Sequence, residues 1–201
     1  MKFLERIRRY IRISEVGPIS RRYFIMNAFD GATTVLGIVI GAYAAGITNE
    51  LSTRASAWVI WSGLGVSLAM GLSGFAGAYM TEEAEREKKL NALEKSMLTE
   101  LKDSVVGKAS RFASLWAGIV DGVSPALTAV VCLIPFFLSS HGLFSINFAI
   151  ELSVAMALLT MFLLGVFLGK ISNRNWLFHG AKMLFVGLII TFIFLVLKIT
   201  Q

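Results

Sequence analysis

Five long apolar stretches, Tyr23 to Ile47, Ala55 to Met80, Phe112 to Leu138, Ile146 to Leu168 and Trp176 to Leu197, occupy well over half of the chain. Each runs 22 to 27 residues, and about 20 residues of helix cross the hydrocarbon layer of a bilayer. The pattern predicts an all-α, polytopic membrane protein with five transmembrane helices. A content of 56% hydrophobic residues and a mean hydropathy of +0.71 exclude a soluble domain, and 201 residues fit a single membrane domain. The first stretch does not read as a cleaved signal peptide, because it is long enough to span and no small-residue cleavage site follows it.

A net charge of +6 suggests nucleic acid until the basic residues are placed. Lys2, Arg6, Arg8, Arg9, Arg12, Arg21 and Arg22 precede the first span, and Lys170, Arg174 and Lys182 flank the link between the fourth and fifth. Both sets fall on one side of the membrane, whereas the links 48–54 and 139–145 hold one Arg, one Glu and one His. By the positive-inside rule the N-terminus is expected in the cytoplasm and Gln201 outside, in the cell membrane if the source is prokaryotic. The charge then reflects topology and anionic headgroups, with the lipid bilayer and not nucleic acid as partner.

Residues 1–18 place Phe3, Leu4, Ile7, Tyr10 and Ile11 at helical spacing among basic residues, the pattern of an interfacial amphipathic helix. Gly17-Pro18 is expected to break it and Ser20 to cap the helix entering the membrane. Residues 23–80 hold spans one and two, and 112–197 spans three to five. Between them, residues 81–111 are densely charged and balance to zero. Without proline or glycine from Thr81 to Val106, this segment is expected to continue the second span as a rigid cytoplasmic helix. Its stripe of Leu90, Leu93, Met97, Leu101 and Val105 needs a partner helix, for which a second copy would serve. Gly37 with Gly41 and Gly165 with Gly169 are small-xxx-small pairs that permit close helix packing or dimerisation.

Two spans carry an aspartate, Asp30 and Asp121, where a charge costs about 2.5 to 3.5 kcal/mol on an insertion scale. Asp30 lies seven residues into the first span, Asp121 nine into the third, and Met70 ten from the end of the second. At about 1.5 Å per residue all three are expected roughly 10 to 15 Å inside the cytoplasmic boundary. Two carboxylates and a thioether, with Asn27, Thr33, Thr34 and Ser73, mix hard and soft donors and suit a divalent first-row metal better than Ca(II) or Mg(II). Asn27, Asp30, Thr34, Met70 and Asp121 therefore form the expected transport pathway, with Asp30 and Met70 as metal ligands. Met70 taken alone reads as packing. Asp121 reads as second ligand, proton carrier or polar hinge beside Pro125, whose ring frees a carbonyl one turn earlier. Glu151 either marks an exit or snorkels to the interface.

On the charged helix Glu83, Glu87 and Glu94 share a face and are candidate metal-collecting ligands, while pairs such as Glu85 with Lys89 read equally well as a solvated surface. Cys132, the single cysteine, lies within the third span and reads as a packing residue. His141 and His179 are isolated and no phosphate-binding glycine loop is present, so neither an enzyme nor a resident cofactor is expected.

The run Asn27-Ala28-Phe29-Asp30-Gly31-Ala32-Thr33-Thr34-Val35-Leu36-Gly37, the run Ser67-Leu68-Ala69-Met70-Gly71-Leu72-Ser73-Gly74-Phe75 and the Glu-rich continuation from Thr81 to Lys89 resemble the vacuolar iron transporter family, in its archaeal-looking branch. Looser similarity extends through Ile134-Pro135 and Gly180-Ala181-Lys182-Met183. The resemblance implies a five-span homodimer carrying Fe(II) or Mn(II) out of the cytoplasm against protons, along a path between the subunits. The family's first-span aspartate matches Asp30 and its second-span methionine matches Met70. Its cytoplasmic metal-collecting domain is short here. The alternatives are a non-transporting membrane scaffold that docks a soluble partner through the cytoplasmic helix, and proton or small-solute transport without metal.

Overall fold

The computed structural model describes residues 2–14, 16–46 and 52–199, apart from the side chains of 2–6, 9, 52, 53, 194, 195 and 197–199. Most of the link 48–54, the side chains of Phe3, Leu4 and Arg6, and Gln201 lie outside the described residues. Those residues form six helices: α1 (Lys2–Ser14), α2 (Val16–Ala44), α3 (Ser52–Met97), α4 (Val105–Ser140), α5 (Ile146–Ile171) and α6 (Trp176–Ile199). Five of them, α2 to α6, are long and apolar enough to cross a membrane, as the five apolar stretches require. Helices are the natural solution, because each satisfies its backbone N–H and C=O groups internally where no water is available.

The first helix boundary falls earlier than the sequence suggests. α1 ends at Ser14, and Gly17 and Pro18 stand in the first turn of α2, where the missing proline N–H has no helical acceptor to lose. Ser20 lies inside α2 and does not cap it; its Oγ is shielded and finds no partner among the described residues.

The second difference lies in the charged segment. α3 continues unbroken through the end of the apolar stretch, but stops at Met97 instead of running to Val106. Leu98 has φ 49°, and the Thr99 amide donates to the Glu94 carbonyl at 3.3 Å, the wrapped hydrogen bond that closes a helix around a left-handed residue. The Leu101 amide then donates to Glu94 Oε1 at 2.6 Å, and α4 starts at Val105. The apolar stripe is consequently divided. Leu90 is buried at 8% exposure, whereas Leu93 and Met97 remain exposed. Leu90 shares pocket walls with Ile13 of α1 and with Ala109, Ser110 and Ser114 of α4, so its covering comes from this chain.

By its internal packing the chain divides into two compact units. One comprises Met1–Asn27 and Gly71–Ser124, the other Ala28–Met70 and Pro125–Gln201. In the first, the Tyr10 ring of α1 lies 5.9 Å from that of Phe112 on α4. In the second, Ala32, Val35, Leu36 and Val39 of α2 pack with Val59 of α3, Leu133 and Phe136 of α4, and Ala149, Ala157 and Met161 of α5. Within this core Ser153 donates to the Cys132 carbonyl at 2.7 Å, and Cys132 itself is fully enclosed. α5 and α6 pair closely: a methyl group built on Gly165 would lie 2.5 Å from the His179 carbonyl oxygen, and one on Gly169 2.6 Å from Trp176 Cα. Without glycine at both positions these helices would separate.

A leucine in the left-handed region costs about 1–2 kcal/mol, and Leu98 is 92% exposed, so its side chain contributes little packing in return. Leu98→Gly is expected to raise stability by about 0.5–1 kcal/mol, the relief of left-handed strain less the extra chain entropy of glycine. Thermal melting in detergent checks this, and a lower melting temperature would contradict the assigned turn.

Candidate ion pathway

A carboxylate removed from water needs hydrogen-bond donors or an opposite charge. Asp121 on α4 is only 5% exposed, and the Asn27 side-chain amide of α2 donates to its Oδ1. The same Asn27 Nδ2 donates to the Tyr23 carbonyl at 3.1 Å, which fixes the amide's orientation. On its other side Asp121 faces α3: a methyl group built on Gly74 would lie 2.5 Å from Asp121 Oδ2. One turn away, Gly71 and Gly122 bring the two backbones together; a methyl on Gly71 would lie 2.6 Å from the Gly122 carbonyl oxygen. Pro125 stays within a continuous α4, but its missing N–H deprives the Asp121 carbonyl of its usual helical donor.

The polar contacts continue along α2 and α3. The Tyr23 hydroxyl donates to Glu82 Oε1 at 3.3 Å, and Arg86 Nε lies 3.2 Å from Glu82 Oε2. Both Arg86 Nη atoms donate to the Ser14 carbonyl at the end of α1, each at 3.4 Å. Glu82 and Arg86 form the ion pair found among the described residues, and both are largely buried. Sequence reasoning missed this pair. The available signal was a four-residue register, Ala78, Glu82, Arg86 and Leu90, which is the buried face of this part of α3 and was obscured by the stripe beginning at Leu90.

Asp30 and Met70 belong to the other unit. The Thr34 hydroxyl donates to Met70 Sδ at 3.4 Å, and Asp30 stands one turn before Thr34 on the same face of α2. The hydroxyl and thioether touch, and helical register sets Asp30 one turn from them. Thr33 Oγ1 donates to the Asp30 carbonyl at 2.9 Å. The Asp30 side chain is exposed on this chain, while Met70 is half-buried. Ser73 is exposed.

The three glutamates beyond the apolar part of α3 have separate surroundings. Glu83 accepts from the Tyr79 hydroxyl at 2.8 Å, Glu87 is exposed, and Glu94 holds the turn after α3. Glu83 and Glu87 line a cavity of about 310 Å³ together with Arg86, Lys102 and Arg111, so a cation entering it also meets positive charge. Among the described residues no three His, Cys, Asp or Glu side chains converge as a metal site. Glu151 lines a cavity of about 550 Å³ with Tyr43, Asn147 and Thr191.

Against known proteins, the model of the VIT family matches residues 88–196. An uncharacterized protein of Methanocaldococcus jannaschii is 35% identical over 170 residues, covering 83% of this chain and 82% of that protein. No solved structure matches. The family match lies over the later spans, beyond the two runs around Asp30 and Met70 that carry the resemblance in the sequence.

Removing one member of a buried ion pair strands the other, at about 3–5 kcal/mol, whereas replacing both with apolar groups is close to neutral. Arg86→Met is therefore expected to lower stability far more than the double substitution Glu82→Leu with Arg86→Met, as read by thermal melting. Equal losses from the two proteins would show that the pair is not buried as described.

Proposed function

The chain belongs to the VIT family, a family of membrane metal-ion transporters, and on that premise we propose that it moves a divalent first-row metal of the Fe(II) or Mn(II) type out of the cytoplasm in exchange for protons. The observation that supports this reading is the contact of Thr34 with Met70 one helical turn from Asp30. A charged oxygen and a sulfur placed together favour a borderline transition metal over Mg(II) or Ca(II), which take oxygen throughout.

The exposure of Asp30 supports a homodimer. A carboxylate within an apolar helix is not left facing lipid, and the α2 face that presents it continues through Thr34, Gly37 and Gly41 at helical spacing. A methyl built on Gly41 meets nothing within 4 Å in this chain, leaving room for the close approach of a second α2. Two copies related by a two-fold axis would double three donors to six, the number an octahedral divalent ion takes. In this reading the pathway lies between subunits, the N-terminus is cytoplasmic, and Glu83, Glu87 and Glu94 lie on the entry side. Their surroundings give Glu83 and Glu87 the stronger claim to collecting metal, since Glu94 is engaged at the turn. Asp121 is the second carboxylate of the pathway, as proton site or ligand.

The test is metal flux into proteoliposomes with internal pH recorded simultaneously, across Fe(II), Mn(II), Co(II) and Zn(II). Asp30→Ala is expected to abolish flux, and Met70→Leu, which keeps volume and removes sulfur, to lower Fe(II) and Co(II) flux about 10-fold or more while affecting Mn(II) less. Undiminished flux in Asp30→Ala would end the assignment of these residues. A wild-type protein that moves protons and no metal would replace the reading with metal-free transport.

A further inference from the structure

We propose that Gly74 is a positioning residue: the side chain it lacks leaves a seat on α3 for the Asp121 carboxylate, and ion passage depends on a carboxylate in that seat, whichever helix supplies it. The inference rests on the transport reading above and adds a residue and a requirement to it.

The geometry defines the seat from two sides. Asn27 donates to Asp121 Oδ1, and its orientation is fixed in turn by the Tyr23 carbonyl. Oδ2 lies against α3, 2.5 Å from where a methyl on Gly74 would stand, with Cγ of the same carboxylate at 3.5 Å from that point. The helices cannot part to make more room without breaking the adjoining contact, where a methyl on Gly122 would lie 2.7 Å from the Gly71 carbonyl oxygen. At 5% exposure Asp121 is shielded from solvent, so its carboxylate rests against protein groups, Asn27 and the bare backbone of α3 among them.

Gly74 differs in kind from its neighbours. At Gly71 and Gly122 an added methyl meets backbone, which cannot yield locally, so substitution there is a folding defect. At Gly74 it meets first the end of the Asp121 side chain, which yields by rotating about two torsions. An alanine at 74 therefore leaves the helices packed and moves the carboxylate. The same closeness means that an aspartate at 74 would carry its own carboxylate into the space that Asp121 occupies, provided residue 121 is small.

Four proteins test this in proteoliposomes, with thermal melting of each: Gly74→Ala, Asp121→Gly, the exchange Gly74→Asp with Asp121→Gly, and its neutral counterpart Gly74→Asn with Asp121→Gly. Gly74→Ala and Asp121→Gly are expected to lower Mn(II) or Co(II) flux at least about tenfold, as small displacements of an essential group do. The exchange is expected to restore flux to within about threefold of wild type, and the neutral counterpart to melt like the exchange yet carry no more than Asp121→Gly. A folded exchange protein without flux, or equal flux from the neutral counterpart, overturns the proposal. So does Gly74→Ala with undiminished flux.

The seat itself is read without metal. Infrared spectra of aspartate-labelled protein, differenced against Asp121→Asn, isolate this carboxylate's stretching band, and Gly74→Ala is expected to shift it. An unmoved band overturns the proposal even if the exchange protein fails to fold. A wild-type protein that carries no metal sinks the transport reading instead, and the band then decides whether Gly74 seats the carboxylate.

Discussion

Charge cannot stand alone in hydrocarbon, and the arrangement of this protein follows from how its two intramembrane aspartates meet that condition. Asp121 meets it within the chain, through an amide from α2 and a place against the unadorned backbone of α3. Asp30 does not, because its side chain is exposed on the single chain. One carboxylate is thus a finished part of the fold and the other an unfinished one. A finished group is suited to holding a fixed position, whereas an unfinished one is suited to taking up a cation and giving it away.

α3 is the element that connects polar groups over the greatest length. It presents Gly71 and Gly74 to α4, then Glu82 to Tyr23, then Arg86 to the end of α1. Its continuity from Ser52 to Met97 needs no glycine or proline at the point where apolar sequence gives way to charge. A single guanidinium serves two elements there, neutralising Glu82 and satisfying the last carbonyl of α1, which a helix end otherwise leaves without a donor. The amphipathic helix is thereby tied to the bundle by a polar contact as well as by the Tyr10–Phe112 ring contact.

Much of this was legible in advance where it depends on length and hydropathy. The five apolar stretches gave the five long helices to within a few residues at most ends, since only a helix satisfies the backbone of a single apolar segment from within. The placing of Asp30 and Met70 in adjacent spans was an expectation from depth alone, and the hydroxyl of Thr34 that touches the sulfur carried no separate signal. The stop at Met97 was not legible. Helices commonly end on glycine, and Leu98 adopts the left-handed conformation with no residue type to announce it. The Glu82–Arg86 pair escaped for a different reason: a four-residue register of one alanine, two opposite charges and one leucine reads as solvated surface until Tyr23 and Ser14 are brought against it. Ser20 shows the converse failure, a good capping residue placed where no helix begins.

Cys132, enclosed in the core beside Ser153, has a practical corollary. The chain's single thiol is out of reach of aqueous reagents in the folded state, so the native sequence already behaves as a silent background for site-directed labelling. Spin or fluorescent reporters attached at newly introduced cysteines on the open face of α2 would report whether two copies of the chain approach there, without first removing a residue from the interior.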